Sequence, residues 1–573
     1  FVGSTDRHYL QKDYDEIKDN QKKSWHGVGW KNDQLTSEIL LVTGEEVVEN
    51  IEVCVSDFLN EDYDILDASN LSLRQLKESD AYIGRGEEQF VQPEGPKEKI
   101  PDIIHQELPI TVQEKRVQAL WLTIDLPDDA EAGIYEGEII FTADDFGSLS
   151  LNYSFEVLDL QLPDQEDLDN DFSMELWQYP YSVARYYRIA ANELFKEKHL
   201  KIVSEQLKAY KRAGGDSISV TVVEDPWNHQ TYDPYPSMIQ WSKKADGQFE
   251  YQYEHFDAYV ELALDLGINQ QIKSFSMVPW ENRIIYYDES KGKEITKFLE
   301  PGSKEWTTVW ASFLDSYVSH LDEKGWFDLT YIAMDERSLA DMQAVIDLVQ
   351  QHKNKEGKSL KISGAMDYNA VSDQILDQID DISISFNEIN HNEDEVKELA
   401  EHRRSLGFTT TMYTMTGQYP NSFSRSHPSE IAWVIWYAES QKLDGYLRWA
   451  LDAWVDDPLK DITHWWWESG DPFLIYPRER DSEMIKPYSS PRYERMAEAT
   501  RDIRKIRYLK SLAPSLEETF NKLLESLGRR DGKVNDYGAM EAASEADQQF
   551  ISGELSRMQE GLNKITRDYL ASL

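Results

Sequence analysis

Two acidic residues follow a strand-like apolar run near the middle of the chain. Tyr331-Ile332-Ala333-Met334 leads directly into Asp335 and Glu336. A pair of carboxyl groups can pass protons to and from a reacting group, which is general acid–base chemistry. Neighbouring side chains point to opposite faces of a strand, so both acids can reach one pocket only where the chain leaves strand geometry.

The pair alone is a weak signal, because the chain is rich in acidic residues. With 106 acidic residues among 573, about 20 adjacent acidic pairs are expected by chance. The informative feature is the position of Asp335 and Glu336 at the end of a strand. A salt-bridged pair in a surface loop is the alternative interpretation.

Eight strand-like segments alternate with amphipathic helical segments between residue 171 and about residue 470. The strands are predicted at 173–177, 217–223, 272–278, 329–334, 360–365, 382–386, 409–413 and 445–449. Eight strand–helix units in roughly 300 residues predict a (β/α)₈ barrel of the TIM type, whose active sites lie at the carboxyl ends of the strands. A doubly wound sheet is the alternative, but no Gly-x-Gly-x-x-Gly motif follows any strand.

Other predicted strands also end in aromatic and polar residues. The candidates for substrate binding are Trp177, Trp280, Tyr368, Asn387, Arg448, Trp449 and Asp452. Aromatic rings pack against the CH faces of sugars, and polar side chains bind sugar hydroxyl groups. These strand ends therefore favour a carbohydrate cleft, although each aromatic residue could instead serve packing.

The two flanks of the barrel have different patterns. Residues 1–165 contain short alternating strands with turn signals between them, which predict an N-terminal β-sandwich domain. The catalytic barrel is assigned to residues 166–480. Residues 481–573 are predicted to be a C-terminal helical region, with helical apolar spacing at 492–509 and 545–573.

Composition excludes several classes of partner. The formal net charge is −47, so phosphate backbones and anionic membrane surfaces would be repelled.

No stretch approaches the ~18 apolar residues that a membrane helix needs. No signal peptide is recognisable, and the cellular compartment is left open.

Motifs of other chemistries are missing as well. The sequence contains no His-Glu-x-x-His, no Gly-x-Ser-x-Gly and no Walker loop, and we expect neither a metal nor an organic cofactor. The single cysteine, Cys54, excludes an internal disulfide and Cys-rich metal modules. It lies in the strand-like run 51–55 and is expected to be buried.

The sequence resembles glycoside hydrolase family 123, whose characterised members are retaining exo-β-N-acetylgalactosaminidases. In the front domain the resemblance rests on residues 120–123 and 127–137. In the barrel it rests on Met334-Asp335-Glu336-Arg337 and on residues 417–421, 444–450 and 470–477. The resemblance covers most of the chain.

This resemblance implies substrate-assisted catalysis, in which the acetamido oxygen of the sugar attacks the anomeric carbon and forms an oxazolinium intermediate. Glu336 is expected to be the general acid and base, and Asp335 to accept a hydrogen bond from the acetamido N–H. Tyr368 is expected to donate a hydrogen bond to the acetamido oxygen, with Tyr413 as the alternative donor.

The predicted activity is release of a terminal β-linked N-acetylgalactosamine from a glycan or glycoconjugate. Two alternatives stay open at this point. One is a hydrolase of the same fold that acts on another β-linked sugar. The other is a carbohydrate-binding protein without activity, although such a protein has no need of a poised general acid.

Overall fold

A computed structural model describes residues 1–84, 86, 90–105, 109–144, 146–168, 171–366, 374–416, 419–527 and 545–573. The N-terminal part consists of strands and one short helix, α1 (Tyr14–Ile17). Its strands are β1 (Ser24–Lys31), β2 (Gln34–Val42), β3 (Val48–Val55), β4 (Phe58–Leu59), β5 (Ile65–Leu66), β6 (Leu71–Tyr82), β7 (Lys97–His105), β8 (Ile110–Val112), β9 (Val117–Asp125), β10 (Gly133–Ala143) and β11 (Gly147–Gln161).

These strands form two sheets that enclose a common apolar core. One sheet has the order β2-β9-β6-β7, and the other has the order β1-β11-β10-β3-β8 with β4 and β5 at its side. Leu120, Leu122 and Ile124 lie at alternate positions of β9 and share a buried cluster with Ile139 and Phe155 of the second sheet. The predicted β-sandwich is confirmed.

Cys54 corrects one expectation about this domain. In β3 the side chains of Ile51, Val53 and Val55 belong to the core side of the sheet, whereas Cys54 is exposed. Successive residues of a strand alternate between faces, so the apolar neighbours of Cys54 place it on the outer face. The prediction that Cys54 is buried was wrong.

The middle of the chain contains the barrel and a smaller added sheet. Its strands are β12 (Ser173–Leu176), β13 (Ser217–Thr221), β14 (Gln240–Lys243), β15 (Phe249–Gln252), β16 (Gln271–Phe275), β17 (Arg283–Asp288), β18 (Lys293–Phe298), β19 (Thr330–Asp335), β20 (Lys361–Met366), β21 (Asp381–Ser385), β22 (Thr409–Tyr413) and β23 (Gly445–Arg448). Eight of them form one sheet in the order β12-β23-β22-β21-β20-β19-β16-β13, and every neighbouring pair is parallel.

The two ends of this sheet meet, so the barrel is nearly closed. A single parallel bridge joins Met174 of β12 to Gly215, just before β13. Gly445 permits the close approach of β23 to β12, because a Cβ there would lie 2.0 Å from the carbonyl oxygen of Ser173. The predicted eight-stranded barrel is confirmed.

The four remaining strands form an added sheet that the sequence did not predict. It has the order β15-β14-β17-β18 and lies in the connections after the second and third barrel strands. The outer strand β18 alternates between exposed and half-buried residues. This strand therefore belongs to a polar hairpin at the surface. In the sequence, such a polar segment is hard to distinguish from a loop.

Helices cover the barrel and complete the C-terminal part. They are α2 (Pro180–Tyr186), α3 (Glu197–Arg212), α4 (Glu254–Asp265), α5 (Lys304–Lys324), α6 (Leu339–Val349), α7 (Phe386–His391), α8 (Glu393–Ser405), α9 (Pro428–Ser440), α10 (Pro491–Leu512), α11 (Glu517–Glu525) and α12 (Glu545–Leu570). All but the last residue of α9 are buried, because α10, α11 and α12 pack against it. In the described part of the chain, no helix has the length and apolar character that crossing a bilayer requires.

A buried ion pair joins the N-terminal domain to the rest of the protein. Arg492 of α10 donates from Nε to Oδ1 of Asp102 in β7 at 3.0 Å, and both side chains are fully buried. Arg492 also donates to the carbonyl oxygens of Gly470 and Phe473, which follow the barrel. One guanidinium therefore links the sandwich, the C-terminal helices and the segment between them.

We expect Arg492→Met to lower the free energy of unfolding by about 3–5 kcal/mol, since it leaves Asp102 buried without its counter-ion. The measurement is denaturant unfolding of the whole chain. The double variant Asp102→Leu/Arg492→Met removes both charges and should recover part of the loss. A single variant no less stable than the double variant would contradict this account.

Candidate active site

The chain turns out of strand geometry between the two acids. Asp335 is the last residue of β19, and Glu336 has a φ of 49°, in the left-handed region. The N–H of Glu336 donates to the carbonyl oxygen of Ala365 in β20 at 3.1 Å, which fixes the turn. The chain therefore leaves strand geometry between Asp335 and Glu336, which is what both carboxyl groups need in order to reach one pocket. Sparsely populated backbone conformations of this kind cost about 1–3 kcal/mol and cluster at functional sites.

Asp335 is held by a residue from the neighbouring strand connection. The indole Nε1–H of Trp280 donates to Asp335 Oδ2 at 3.1 Å. Trp280 lies five residues after β16, and 38% of its side chain is exposed. Trp280 is therefore a partly exposed aromatic residue in direct contact with the acid pair, and a ring in that position suits contact with a sugar.

Glu336 is held from the other side of the barrel. The hydroxyl of Tyr413 donates to Glu336 Oε1 at 2.7 Å. Tyr413 is the last residue of β22, and β20 and β21 separate that strand from β19 in the sheet. The side chain of Glu336 therefore reaches across the carboxyl ends of the strands, which form the mouth of the barrel.

Tyr179 is close enough to Asp335 for the charge of that carboxyl to act on it, although Tyr179 was not among the predicted site residues. Its hydroxyl donates to the carbonyl oxygen of Trp449 at 2.9 Å, and its backbone N–H donates to Asp452 Oδ1 at 2.8 Å. Burial raises the pKa of Tyr179 well above its usual value, and the charges of Asp335 and Asp452 raise it further. The signal that could have identified it is its place three residues after β12 in Trp177-Gln178-Tyr179-Pro180.

Trp177 is packed into an aromatic cluster rather than exposed in the mouth. Only 3% of it is exposed, and its ring stacks on Trp227 with centroids 5.0 Å apart. Its Nε1–H donates to Glu175 Oε1 at 2.9 Å. Glu175 and Asp381 in turn flank the buried ammonium of Lys273 in the barrel interior, at 3.1 and 3.0 Å.

Arg448 and Asp452 are also buried, at and just after the carboxyl end of β23. The guanidinium of Arg448 is 1% exposed and forms an ion pair with Asp471. It also donates to the carbonyl oxygen of Thr414 at 3.2 Å, so it ties together the connections after β22 and β23. Burial lowers the pKa of Arg448 to about 10.

The remaining predicted residues have less defined surroundings. Trp449 is half-buried and contacts the rings of Tyr179 and Trp467, with centroids 6.4 and 5.9 Å away. Asn387 lies in the first turn of α7 and is half-buried. Tyr368 lies outside the described residues, as do Gly417 and Gln418 of the family-like motif.

The structure thus brings four of the predicted residues into direct contact at the mouth: Asp335, Glu336, Trp280 and Tyr413. Trp177, Arg448 and Asp452 are buried, with 3%, 1% and 2% of each residue exposed. Among the described residues, no group of three or more His, Cys, Asp or Glu side chains is arranged to hold a metal ion. The chemistry that this arrangement can perform is proton transfer by two neighbouring carboxyl groups.

A nearly closed parallel barrel with a carboxyl pair at the end of its fourth strand is an architecture suited to glycoside hydrolysis. The model of the family 123 glycoside hydrolase catalytic domain matches residues 177–509, and the model of the family 123 N-terminal domain matches residues 2–143. The chain belongs to glycoside hydrolase family 123 and is a glycoside hydrolase.

One solved structure is similar over the whole chain. It is a family 123 glycoside hydrolase from Clostridium perfringens, studied for its hydrolysis of glycolipid glycans, with 44% sequence identity and a TM-score of 0.95. The similarity covers 100% of this chain and 98% of that chain.

Two more distant structures are a family 5 xyloglucanase from Bacteroides ovatus and an endo-1,4-β-xylanase from Clostridium thermocellum. Both have 10% identity and a TM-score of 0.30. The first similarity covers 83% of this chain and 98% of that chain, and the second 82% and 86%. No match was found among curated proteins.

The buried carboxyl of Asp452 generates a prediction about pH. Burial raises the pKa of Asp452 from 3.8 to about 7, so the folded protein keeps this group protonated at pH values where the unfolded chain ionises it. The contribution of Asp452 to the free energy of unfolding is therefore complete below pH 4. It falls by about 1.4 kcal/mol per pH unit as the pH rises from 4 towards 7, and its loss is complete once the pH has passed 7. Asp452→Asn cannot ionise, so its stability relative to the wild type should increase between pH 4 and 7. Thermal unfolding at several pH values measures this difference.

Glu52→Gln is the matched control, because Glu52 is exposed on β3. Its unfolding temperature should follow that of the wild type at every pH. Parallel curves for Asp452→Asn and the wild type would show that Asp452 does not bind a proton in this range.

Proposed function

We propose that this protein is a retaining exo-glycosidase that releases terminal β-linked N-acetylgalactosamine by substrate-assisted catalysis. The observation that carries the proposal is the adjacent acid pair with separate donors on its two members. Trp280 binds Asp335 and Tyr413 binds Glu336, from different sides of the mouth. The two carboxyl groups can therefore have different tasks although they are neighbours in the chain.

In the first step, the acetamido oxygen of the bound sugar attacks the anomeric carbon while the glycosidic C–O bond breaks. Glu336 gives its proton to the departing oxygen. Asp335 accepts a hydrogen bond from the acetamido N–H and stabilises the positive charge that develops on the oxazolinium ring. In the second step, the Glu336 carboxylate takes a proton from water, which attacks the anomeric carbon and opens the ring. Two displacements at the same carbon retain the β configuration.

The position of the acids supports this mechanism over one with an enzyme nucleophile. An ordinary retaining pair stands about 5–5.5 Å apart on either side of the scissile bond, and substrate-assisted enzymes are exceptions to that scheme. Successive residues on one strand end favour a common side of the sugar. The acetamido group then supplies the nucleophile from the substrate itself.

Tyr413 has a defined place in this proposal. Because its hydroxyl donates to Glu336, we assign Tyr413 to orienting the general acid. Tyr368 keeps the proposed role of donor to the acetamido oxygen. Trp280, Trp449 and Asn387 are proposed to contact the sugar at the mouth.

The substrate is proposed to be a glycan of a glycolipid or another glycoconjugate with a terminal N-acetylhexosamine. Support comes from the Clostridium perfringens enzyme, which is 44% identical and is described as hydrolysing glycolipid glycans. The second candidate is another β-linked sugar on the same fold. The choice between them depends on the 2-acetamido group, which only the first mechanism requires.

The test combines a panel of sugars with a series of leaving groups. We expect the wild type to hydrolyse aryl β-N-acetylgalactosaminides and to be at least 10²-fold slower on aryl β-galactosides, which lack the acetamido nucleophile. Glu336→Gln should be impaired by about 10²–10⁴-fold on poor leaving groups and recover on acidic phenols, which leave without a proton. Asp335→Asn should stay slow on all of them, because ring formation precedes any benefit from a better leaving group.

The readout is the slope of log kcat/KM against the pKa of the phenol. Glu336→Gln should give a steep slope, and Asp335→Asn a slope near that of the wild type. Reversed slopes would exchange the two assignments. Equal rates on the acetamido sugar and on the galactoside would overturn the substrate-assisted mechanism.

A further inference from the structure

Arg337, the residue directly after the acid pair, donates hydrogen bonds to several described residues around the site. Its Nη1 donates to the carbonyl oxygen of Trp280 at 3.0 Å. Its Nη2 donates to Asn282 Oδ1 and to Asp341 Oδ2, each at 3.0 Å. Only 14% of the Arg337 side chain is exposed. The guanidinium therefore lies in a fixed setting between two connections of the barrel.

These contacts join the acid-bearing turn to the segment that carries Trp280. Trp280 and Asn282 belong to the connection after β16, whereas Asp341 lies in the first turn of α6. The connection is also held from its other side, because the N–H of Trp280 donates to the carbonyl oxygen of Pro226 at 3.0 Å. The backbone of Trp280 thus has an anchor on each side, while 38% of the residue is exposed to solvent.

The same tryptophan binds Asp335 through its indole nitrogen at 3.1 Å. Ordering the backbone and ordering the side chain each cost conformational entropy, so contacts that hold both restrict a partly exposed indole most. The chain of contacts from Arg337 to the Trp280 carbonyl, and from the Trp280 indole to Asp335, supplies both restraints. It fixes the position of the indole donor that binds Asp335 Oδ2.

We propose that Arg337 is a positioning residue that fixes the direction of the Asp335 carboxyl through Trp280. The inference rests on the function proposed above, in which Asp335 orients the acetamido group. Arg337 itself need not touch the sugar. An arginine suits this place because its planar fork presents several donors at fixed angles to acceptors in different directions, whereas a lysine carries one compact ammonium group.

The test uses Arg337→Lys, which keeps the charge but not the fork. We expect kcat/KM on an aryl β-N-acetylgalactosaminide to fall by up to about 10²-fold, the effect of a misplaced reacting group, with the leaving-group slope of the wild type. In an Asp335→Asn background the same change should cost less than about 2-fold, because the path through Asp335 is already lost; coupled residues are non-additive in this way. Arg337→Lys should likewise add little to Trp280→Phe, which keeps an aromatic ring but has no indole donor.

Arg404→Lys is the matched control. Arg404 also donates to a backbone carbonyl, that of Lys442 at 2.6 Å, and to an aspartate, Asp444 at 2.7 Å. These contacts lie at the opposite end of the barrel, before β23. The Arg404→Lys variant should therefore have the same kcat/KM as the wild type. Thermal unfolding of each variant establishes that the compared proteins are folded at the assay temperature.

The outcomes separate this inference from the function on which it rests. In one outcome Asp335→Asn is slow, and adding Arg337→Lys slows it further by the same factor as in the wild type. Arg337 then acts on the fold, and this inference is overturned while the proposed function stands. A steep leaving-group slope for Arg337→Lys would also overturn it, since the defect would then lie with Glu336. If Asp335→Asn is as fast as the wild type, the proposed function and this inference both fail.

Discussion

The site depends on one constraint, which is that two consecutive residues must deliver their carboxyl groups to the same place. A strand cannot do so, because its side chains alternate between faces. The chain solves this by ending β19 at Asp335 and placing Glu336 in the left-handed region. That conformation is unfavourable for a residue with a side chain, and two neighbouring carboxylates repel each other. Surrounding contacts must therefore hold the turn.

The barrel provides those contacts from several of its strands. β20 binds the backbone of Glu336, Tyr413 at the end of β22 binds its carboxyl group, and Trp280 after β16 binds Asp335. All lie at the carboxyl ends of parallel strands, so closure of the sheet brings them together.

Layers further from the mouth keep this arrangement in place. Lys273 lies between Glu175 and Asp381 in the barrel interior, and Glu175 also binds the indole of Trp177. Outside the barrel, Arg492 joins the sandwich to the C-terminal helices. Removing one partner of a buried ion pair costs about 3–5 kcal/mol, because the other charge is left buried without a counter-ion. The pair of Arg492 and Asp102 therefore opposes separation of the sandwich from the C-terminal helices.

Much of the fold could be predicted from sequence, because hydrophobic periodicity reports which residues face a core. The strand expected at residues 409–413 coincides with β22, and the others agree to within a few residues. The added sheet was missed because its strands are short and partly polar. Burial of Cys54 was mispredicted because an apolar run does not reveal which of its alternate positions face the core. The domain boundaries at 165 and 480 stay predictions.

The candidate site was predictable only in part. Asp335 and Glu336 stood out by their place after a strand, but nothing in the sequence showed that Tyr413 binds Glu336 or that Trp280 binds Asp335. Such contacts join residues that are far apart in the chain, and they depend on strand order around the barrel. Arg448 was predicted to bind the sugar, and the structure shows its buried guanidinium in an ion pair with Asp471. A local pattern cannot distinguish an arginine in an internal ion pair from one that faces a substrate.

In the proposed mechanism the substrate supplies the nucleophile, and the acid pair orients it and transfers the proton. The most direct measurement compares aryl β-N-acetylgalactosaminides whose acetamido methyl group carries zero, one, two or three fluorine atoms. Each fluorine withdraws electrons from the acetamido oxygen and weakens its attack on the anomeric carbon, while the sugar and the leaving group stay the same. If the acetamido oxygen is the nucleophile, log kcat/KM falls steeply and linearly along the series. A rate independent of fluorine content would contradict the proposed mechanism, because the nucleophile would then belong to the protein.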